Sequence, residues 1–210
     1  FGNIYEAPEI SATCNSAFAT GVISFNQGQR QNGTDVDAIR SDPENALGIP
    51  GPELTNVYNF TSLGFGGEII LEFSEYILAN PDGPEITIFE TTWNGTSYNN
   101  YPEQANVYVA QSLDGEWYDI GNAQHDADLE FPVGLLWARY VKIVDVSNSD
   151  SFGNSADGFD VDGVSACVSD DDEPQIATLN VIKTTVDTPD TIQIPQFTVC
   201  IVGDLYPTGE

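Results

Sequence analysis

The feature that most constrains this chain is its strict alternation. Short runs in which apolar and polar residues take turns dominate it: "GVISF" (21–25), "EIILEF" (68–73), "EITIF" (85–89), "ANVYVA" (105–110), "YVKIVDV" (140–146) and "FDVDGVSACV" (159–168). A period of two is the signature of a strand with one face on a core. Turn-rich segments such as "NPDGP" (80–84) and "LDGE" (113–116) separate the runs. No stretch carries a capped 3.6-residue apolar repeat, which leaves room for at most a short helix around 35–40 or 102–106. Nineteen Gly and 12 Pro, with abundant Thr, Val, Ile and Tyr, fit the same picture. The expected fold is all-β, an antiparallel β-sandwich of the jelly-roll kind with a C-terminal pair of extra strands.

Followed to the ends of the strands, the alternation produces a second pattern. Ile86, Ile88 and Glu90 share a face, as do Glu103, Ala105, Val107 and Val109. Val141, Ile143 and Asp145 share one, and so do Asp160, Asp162, Val164 and Ala166. Four apolar faces therefore end in carboxylates. If the strands of 86–90 and 105–110 form one antiparallel pair, and those of 140–146 and 159–168 another, each connection returns the chain to the same edge. Carboxylates brought together at the end of a core repel unless something positive neutralises them. A hard cation with oxygen ligands is the natural candidate, and calcium, which takes six to eight oxygens, suits the set better than magnesium. The expected ligands are Glu90, Glu103, Asp145, Asp160 and Asp162, with Asp157 in the turn Asp157–Gly158 adding an oxygen. The plainer reading is that each acid marks where a strand leaves the core. A calcium ion here would clamp the loops 91–102 and 147–157 rather than catalyse.

Charge excludes whole classes of partner. Thirty-three Asp and Glu against five Lys and Arg give a formal net charge of −28. Such a surface repels nucleic-acid backbones and anionic membranes, and no apolar run approaches the length of a membrane span. Of three cysteines, Cys14 and Cys167 lie near the ends of the strand-rich region. A disulfide between them would tie first to last strand in an oxidising compartment, the alternative being two buried thiols. Cys200 is the odd one out.

Domain organisation reads as a β-sandwich over 1–168, an acidic linker over 169–177 ("SDDDEPQ" at its start) and two further strand-like runs within 178–210. Two strands cannot bury a core alone, so the last segment is either an incomplete β-domain or a tail that completes the open sheet edge of another subunit. The loop "TTWNGTSYNNYPEQ" (91–104) sets Trp93, Tyr98 and Tyr101 among amides, a composition suited to stacking on sugars and bonding their hydroxyls, or else to a loop core. The single histidine, His125, has no nucleophile motif with it. Glu90 and Glu103 could form a glycosidase pair, but nothing separates an acid from a nucleophile. Asn32, Asn59 and Asn94 each begin an N-x-S/T triplet.

The phrases "GVISFNQG" (21–28), "RSDPENALGIP" (40–50), "SLGFGGEIILEF" (62–73), "YPEQANVYVAQSLDG" (101–115), "WARYVKIVDVS" (137–147) and "ADGFDVDGV" (156–164) together resemble a family of bacterial secreted and cell-surface proteins. The resemblance spans about 20–167 and is to a jelly-roll module similar to lectin-like and discoidin-like sandwiches. The tail resembles the start of a prealbumin-like or immunoglobulin-like repeat. The resemblance implies a secreted, non-enzymatic module in adhesion or surface structure. Its expected partners are copies of itself, surface proteins or glycans, and the expected alternative function is carbohydrate binding through the aromatic loop.

Overall fold

In the computed structural model ten strands carry the alternating runs. They are β1 (Asn15–Phe18), β2 (Gly21–Asn26), β3 (Thr61–Ser62), β4 (Glu68–Leu78), β5 (Ile86–Glu90), β6 (Ala105–Ala110), β7 (Trp117–Ala123), β8 (Ala127–Leu129), β9 (Trp137–Asp145) and β10 (Asp160–Val168). The structure describes residues 15–51, 58–80, 83–92 and 98–169. Cys14, Trp93, Asn94, Cys200 and the segment 170–210 lie outside the described residues, and with them the expectations placed there. The chain divides into two units, one over 13–174 and one made of 1–12 with 175–210. All ten strands belong to the first.

Every strand pairing is antiparallel. One half of the sandwich runs β2-β4-β9-β6-β7; in the other, β10 lies between β5, which pairs β8, and the short β1 and β3. A single bridge, Val168 opposite Ile77, joins the halves into one continuous sheet. The inward residues of both halves meet in one core: Ile69, Leu71 and Phe73 from β4, Val107 and Val109 from β6, Val141 and Ile143 from β9, Ile86 and Ile88 from β5, Val164 and Ala166 from β10. The chain is thus an all-β antiparallel sandwich of the jelly-roll type. The buried–exposed alternation of β5 and of the first half of β4 is the pleat itself. Between Glu72 and Ile77 the register against β9 shifts, and beyond that irregularity Ile77 and Leu78 are both buried.

The two hairpins expected to bring the acids together do not exist. β5 pairs β8 and β10, while β6 pairs β7 and β9. The strands of each expected pair belong to opposite halves, and the long connections 91–104 and 146–159 cross between them. Of the two short helices allowed for, a 3-10 turn forms at Ala38–Arg40; 102–106 instead leads directly into β6.

Strand β10 is buried along all nine residues, unlike the half-exposed strand that its alternation suggests. The segment Pro43–Pro50 covers its outer side. Here the 3-10 turn Pro43–Ala46 is capped by Asp42, which accepts from the Glu44 N–H at 3.2 Å. A Cβ on Gly163 would already touch the Pro50 ring at 3.1 Å.

Candidate functional site

All six carboxylates singled out by the alternation are buried: Glu90, Glu103, Asp145 and Asp157 are 3% exposed, Asp162 5% and Asp160 6%. They do not share one environment. Two are consumed by the backbone. Asp145 at the end of β9 accepts from the Gly66 N–H at 3.0 Å, the Phe159 N–H at 2.9 Å and the Ser147 hydroxyl at 2.7 Å. Asp162 accepts from the Gly51 N–H at 3.2 Å and Asn59 Nδ2 at 3.0 Å. Asp160 and Asp162 therefore meet different partners, although strict alternation would aim them together. The register of β10 against β5 shifts between Val161 and Gly163, and that bulge breaks the alternation. Glu85, which the pattern of strand ends missed, plays the same role: it accepts from the N–H groups of Asn80 and Phe131, both at 2.8 Å.

The other four acids form an electrostatically connected group. Asp157 is ion-paired with Arg40, and its carbonyl accepts from the Ser62 hydroxyl at 3.0 Å. Asp160 lies beside that same hydroxyl, and burial followed by the charge of Asp157 pushes its carboxyl well above the usual range. Glu103 is pushed well up by burial and then by Asp160, Glu90, Asp157 and Asp145. Glu90 is raised by burial to about 7, against hydrogen bonds from Thr92, His125 and Glu103 that lower it. Its Oε2 accepts from the Thr92 hydroxyl at 2.5 Å and lies 3.0 Å from His125 Nδ1. His125 reaches that position with a φ of 75°, the left-handed region that a non-glycine residue rarely occupies.

The positive partner demanded by the aspartates of "ADGFDVDGV" is thus largely internal. It is Arg40 for Asp157 and N–H, amide and hydroxyl donors for Asp145 and Asp162, while the carboxyls of Glu90, Glu103 and Asp160 are raised by burial. Among the described residues no three Asp, Glu, His or Cys side chains are arranged as a ready-made metal set. Beyond Asp157 Oδ2, which Arg40 engages, three buried carboxylate oxygens nevertheless lack any hydrogen-bond partner: Glu90 Oε1, Glu103 Oε2 and Asp160 Oδ1.

Two of those oxygens belong to residues lining a cleft of about 420 Å³. Arg30 and Arg40 line it, each engaged by an acid of the same cleft, Asp37 and Asp157. Two of the five basic residues in the chain are therefore gathered here. Arg30 Nε is buried and without an acceptor. Tyr58 and Tyr101 supply aromatic surface. Tyr101 is braced edge-on by Phe152, with ring centroids 4.9 Å apart, and Phe152 packs on Phe65 at 5.4 Å. Burial, then the carboxylates of Glu103, Asp157 and Asp160, push the Tyr101 phenol upward, so it remains a donor.

Of the expected ligand-binding aromatics, Tyr101 thus lies in the cleft, but it also packs as loop core. Tyr98 is half-buried in the turn before it and is not among the lining residues. Trp93 lies outside the described residues. Sequence reasoning missed Arg30, Arg40 and Tyr58. The signal was the rarity of cationic residues, which makes any two that fall ten positions apart worth attention. Cys167 is a buried β10 residue opposite Ser16.

No protein-family profile matches the chain, and no curated protein matches it. Among solved structures it is similar to the family 32 carbohydrate-binding module from Streptococcus pneumoniae EndoD, at 13% identity and a TM-score of 0.40, covering 75% of this chain and 98% of that one. It is also similar to the module GH31 CBM32-2 in an X-ray structure with bound GalNAc, at 12% identity and a TM-score of 0.30, covering 72% and 95%.

Proposed function

We propose that the sandwich is a non-enzymatic, extracellular carbohydrate-binding module whose ligand sits in the cleft between Tyr58, Tyr101, Arg30, Arg40, Glu103 and Asp160. The observation that carries this reading is the pairing of aromatic surface with unsatisfied groups of both kinds. Arg30 Nε needs an acceptor, whereas Glu103 Oε2 and Asp160 Oδ1 need donors. A sugar hydroxyl is donor and acceptor at once, and a pyranose face stacks on a ring. A few convergent polar groups in a largely preformed pocket are what a small-ligand site requires. The non-enzymatic part is supported by the acids themselves. Glu90 and Glu103 are both raised by burial rather than split into an acid and an ionised nucleophile, and Glu90 is not on the cleft. Glycan-array screening followed by calorimetry on the best binder tests the reading. Tyr101→Ala and Arg40→Gln should each weaken binding at least about tenfold. An array without binders, or binders indifferent to both changes, would remove the proposal.

A second reading is favoured by the orphan oxygens alone. Glu90, Glu103 and Asp160 would contribute to a calcium site, with Asp145 and Asp162 left to their backbone partners. Calcium bound to the folded state would raise stability by mass action, about 2.7 kcal/mol at a hundredfold excess over its dissociation constant. Melting that is unmoved by EDTA and by added calcium would retire this reading. A Cys14–Cys167 disulfide, tying the first strand to the last, would fit an extracellular setting. Peptide mapping under non-reducing conditions checks the pair.

A further inference from the structure

The charges lining the cleft do not balance: Arg30 and Arg40 face Asp37, Glu103, Asp157 and Asp160. Both guanidiniums are already engaged, by Asp37 and Asp157. The two acids left without a guanidinium are therefore Glu103 and Asp160, which are also the residues whose buried oxygens, Glu103 Oε2 and Asp160 Oδ1, have no partner. These two residues come from different parts of the fold, Glu103 just before β6 and Asp160 at the start of β10. Asp160 is the leading charge acting on Glu103, and Asp157 and Glu90 are the carboxylates acting on Asp160. A pocket so built is short of positive charge and of donors at its floor, and has a phenol and an aromatic face at its wall.

We propose that the cleft selects a sugar bearing a free primary amine, its ammonium placed between Glu103 Oε2 and Asp160 Oδ1 with the ring against Tyr101. This deepens the carbohydrate reading and rests on it. A neutral hydroxyl would satisfy one oxygen and supply no charge to hold the two buried carboxyls ionised. An anionic sugar would meet four carboxylates with no free cation to receive it. An ammonium has three donors and one charge, and hydrogen bonds between charged partners are roughly twice as strong as neutral ones. A metal ion would answer the charge equally well, but a divalent ion asks for six or more oxygens, and no three-acid set stands ready among the described residues. N-acetylation of the sugar removes the charge and adds bulk where the two carboxylates converge.

The test is calorimetric titration of the full chain with a glucosamine disaccharide, its N-acetylated counterpart and an unsubstituted glucose disaccharide. Salt is held near 0.5 M so that the general attraction of a −28 protein for cations is screened. The amine form should bind about tenfold or more tightly than the other two. Glu103→Gln and Asp160→Asn should each abolish that preference, while Asp114→Asn, in the exposed turn at the far end of β6, should leave it intact. Equal affinity for all three sugars, or a preference that survives Glu103→Gln, overturns the amine assignment and leaves the carbohydrate reading standing. Binding of none of the three, together with an array on which no sugar depends on Tyr101, overturns both. Direct calcium binding that is lost in the same two variants and that displaces the amine assigns the orphan oxygens to a metal instead, and the amine proposal falls. Folding of the variants is checked by their melting curves, and since each change is near-isosteric and replaces a carboxyl that burial penalises when ionised, melting should not fall.

Discussion

Asp145 is the clearest case of an acid whose work is structural. Three donors from two connections close on one carboxylate, so removing it strands the buried N–H of Phe159 and the more exposed N–H of Gly66. Each orphaned buried donor costs about 1–3 kcal/mol, and Asp145→Ala should destabilise by roughly 3 kcal/mol or more in denaturant titration. Gly158 belongs to the same knot. Its φ is 75°, and a Cβ there would stand 2.8 Å from Asp145 Oδ2, so Gly158→Ala should cost a comparable amount. A loss under about 0.5 kcal/mol in either variant would mean the knot contributes little. Glu90, Glu103 and Asp160 respond to pH in a defined direction. Their carboxyls are raised in the folded state, so between the ordinary carboxylate range and about 7, where Glu90 titrates, the folded protein holds more protons than the unfolded one. Stability is then fully present at low pH and is lost as pH rises through that window. Melting should be higher near pH 5 than near pH 8. Glu103→Gln, which keeps the neutral shape at every pH, should flatten the dependence and raise melting at pH 8. A melting temperature that climbs from pH 5 to pH 8 would contradict the assignment.

At the level of elements, the strands were largely legible because a half-buried strand leaves a period of two in its sequence. Ala105–Ala110 coincides with its run, and β2, β5 and β10 agree with theirs to within a residue. The missed strands have physical reasons. β1, β3 and β8 are four residues or fewer, too short to show a period, and β7 places Gly121 and two polar residues in a pairing strand. That these acids would be buried at strand ends was legible for the same reason as the strands, since each acid extends an apolar face. Which strands neighbour one another was not, because crossing between halves leaves no local mark. Nor could alternation tell Asp145, satisfied by N–H groups, from Glu103, left with an orphan oxygen. That distinction depends on backbone arriving from 66 and 159. The cleft wall is itself an assembly of loops. Phe152, next to the 3-10 turn Ser149–Ser151, stands between Phe65 and Tyr101 and so fixes the angle at which Tyr101 faces a ligand. Phe152→Ala leaves every polar group of the cleft in place but removes the brace. It should weaken sugar binding about three- to tenfold with a smaller loss of stability than a fully buried aromatic would show. Unchanged affinity would mean Tyr101 is positioned by its other neighbours.

For the whole molecule, surface repulsion and the buried acids are two separate sources of instability, and they can be told apart. With 33 acids against five basic residues, the exposed carboxylates repel one another across the surface. This field is screened once the Debye length falls below the spacing of the charges, about 10 Å at 0.1 M salt and less beyond. Glu103 and Asp160 are buried beneath that layer, and their penalty is set by desolvation. Raising sodium chloride from about 0.02 M to about 0.5 M should therefore raise the melting temperature by several degrees, and by the same amount in the wild type and in Glu103→Gln. Lowering the pH from 8 to 5 should raise the wild type more than the variant, because the variant lacks one of the buried carboxyls that take up a proton. The two responses are additive if the sources are distinct. A salt response that shrinks in Glu103→Gln would show that the buried group is screened after all, which would open the cleft floor to water and weaken the case for a desolvated ammonium there. Equal salt responses with unequal pH responses would place the acid pair beneath the surface, inside a protein whose outer charge is a separate matter.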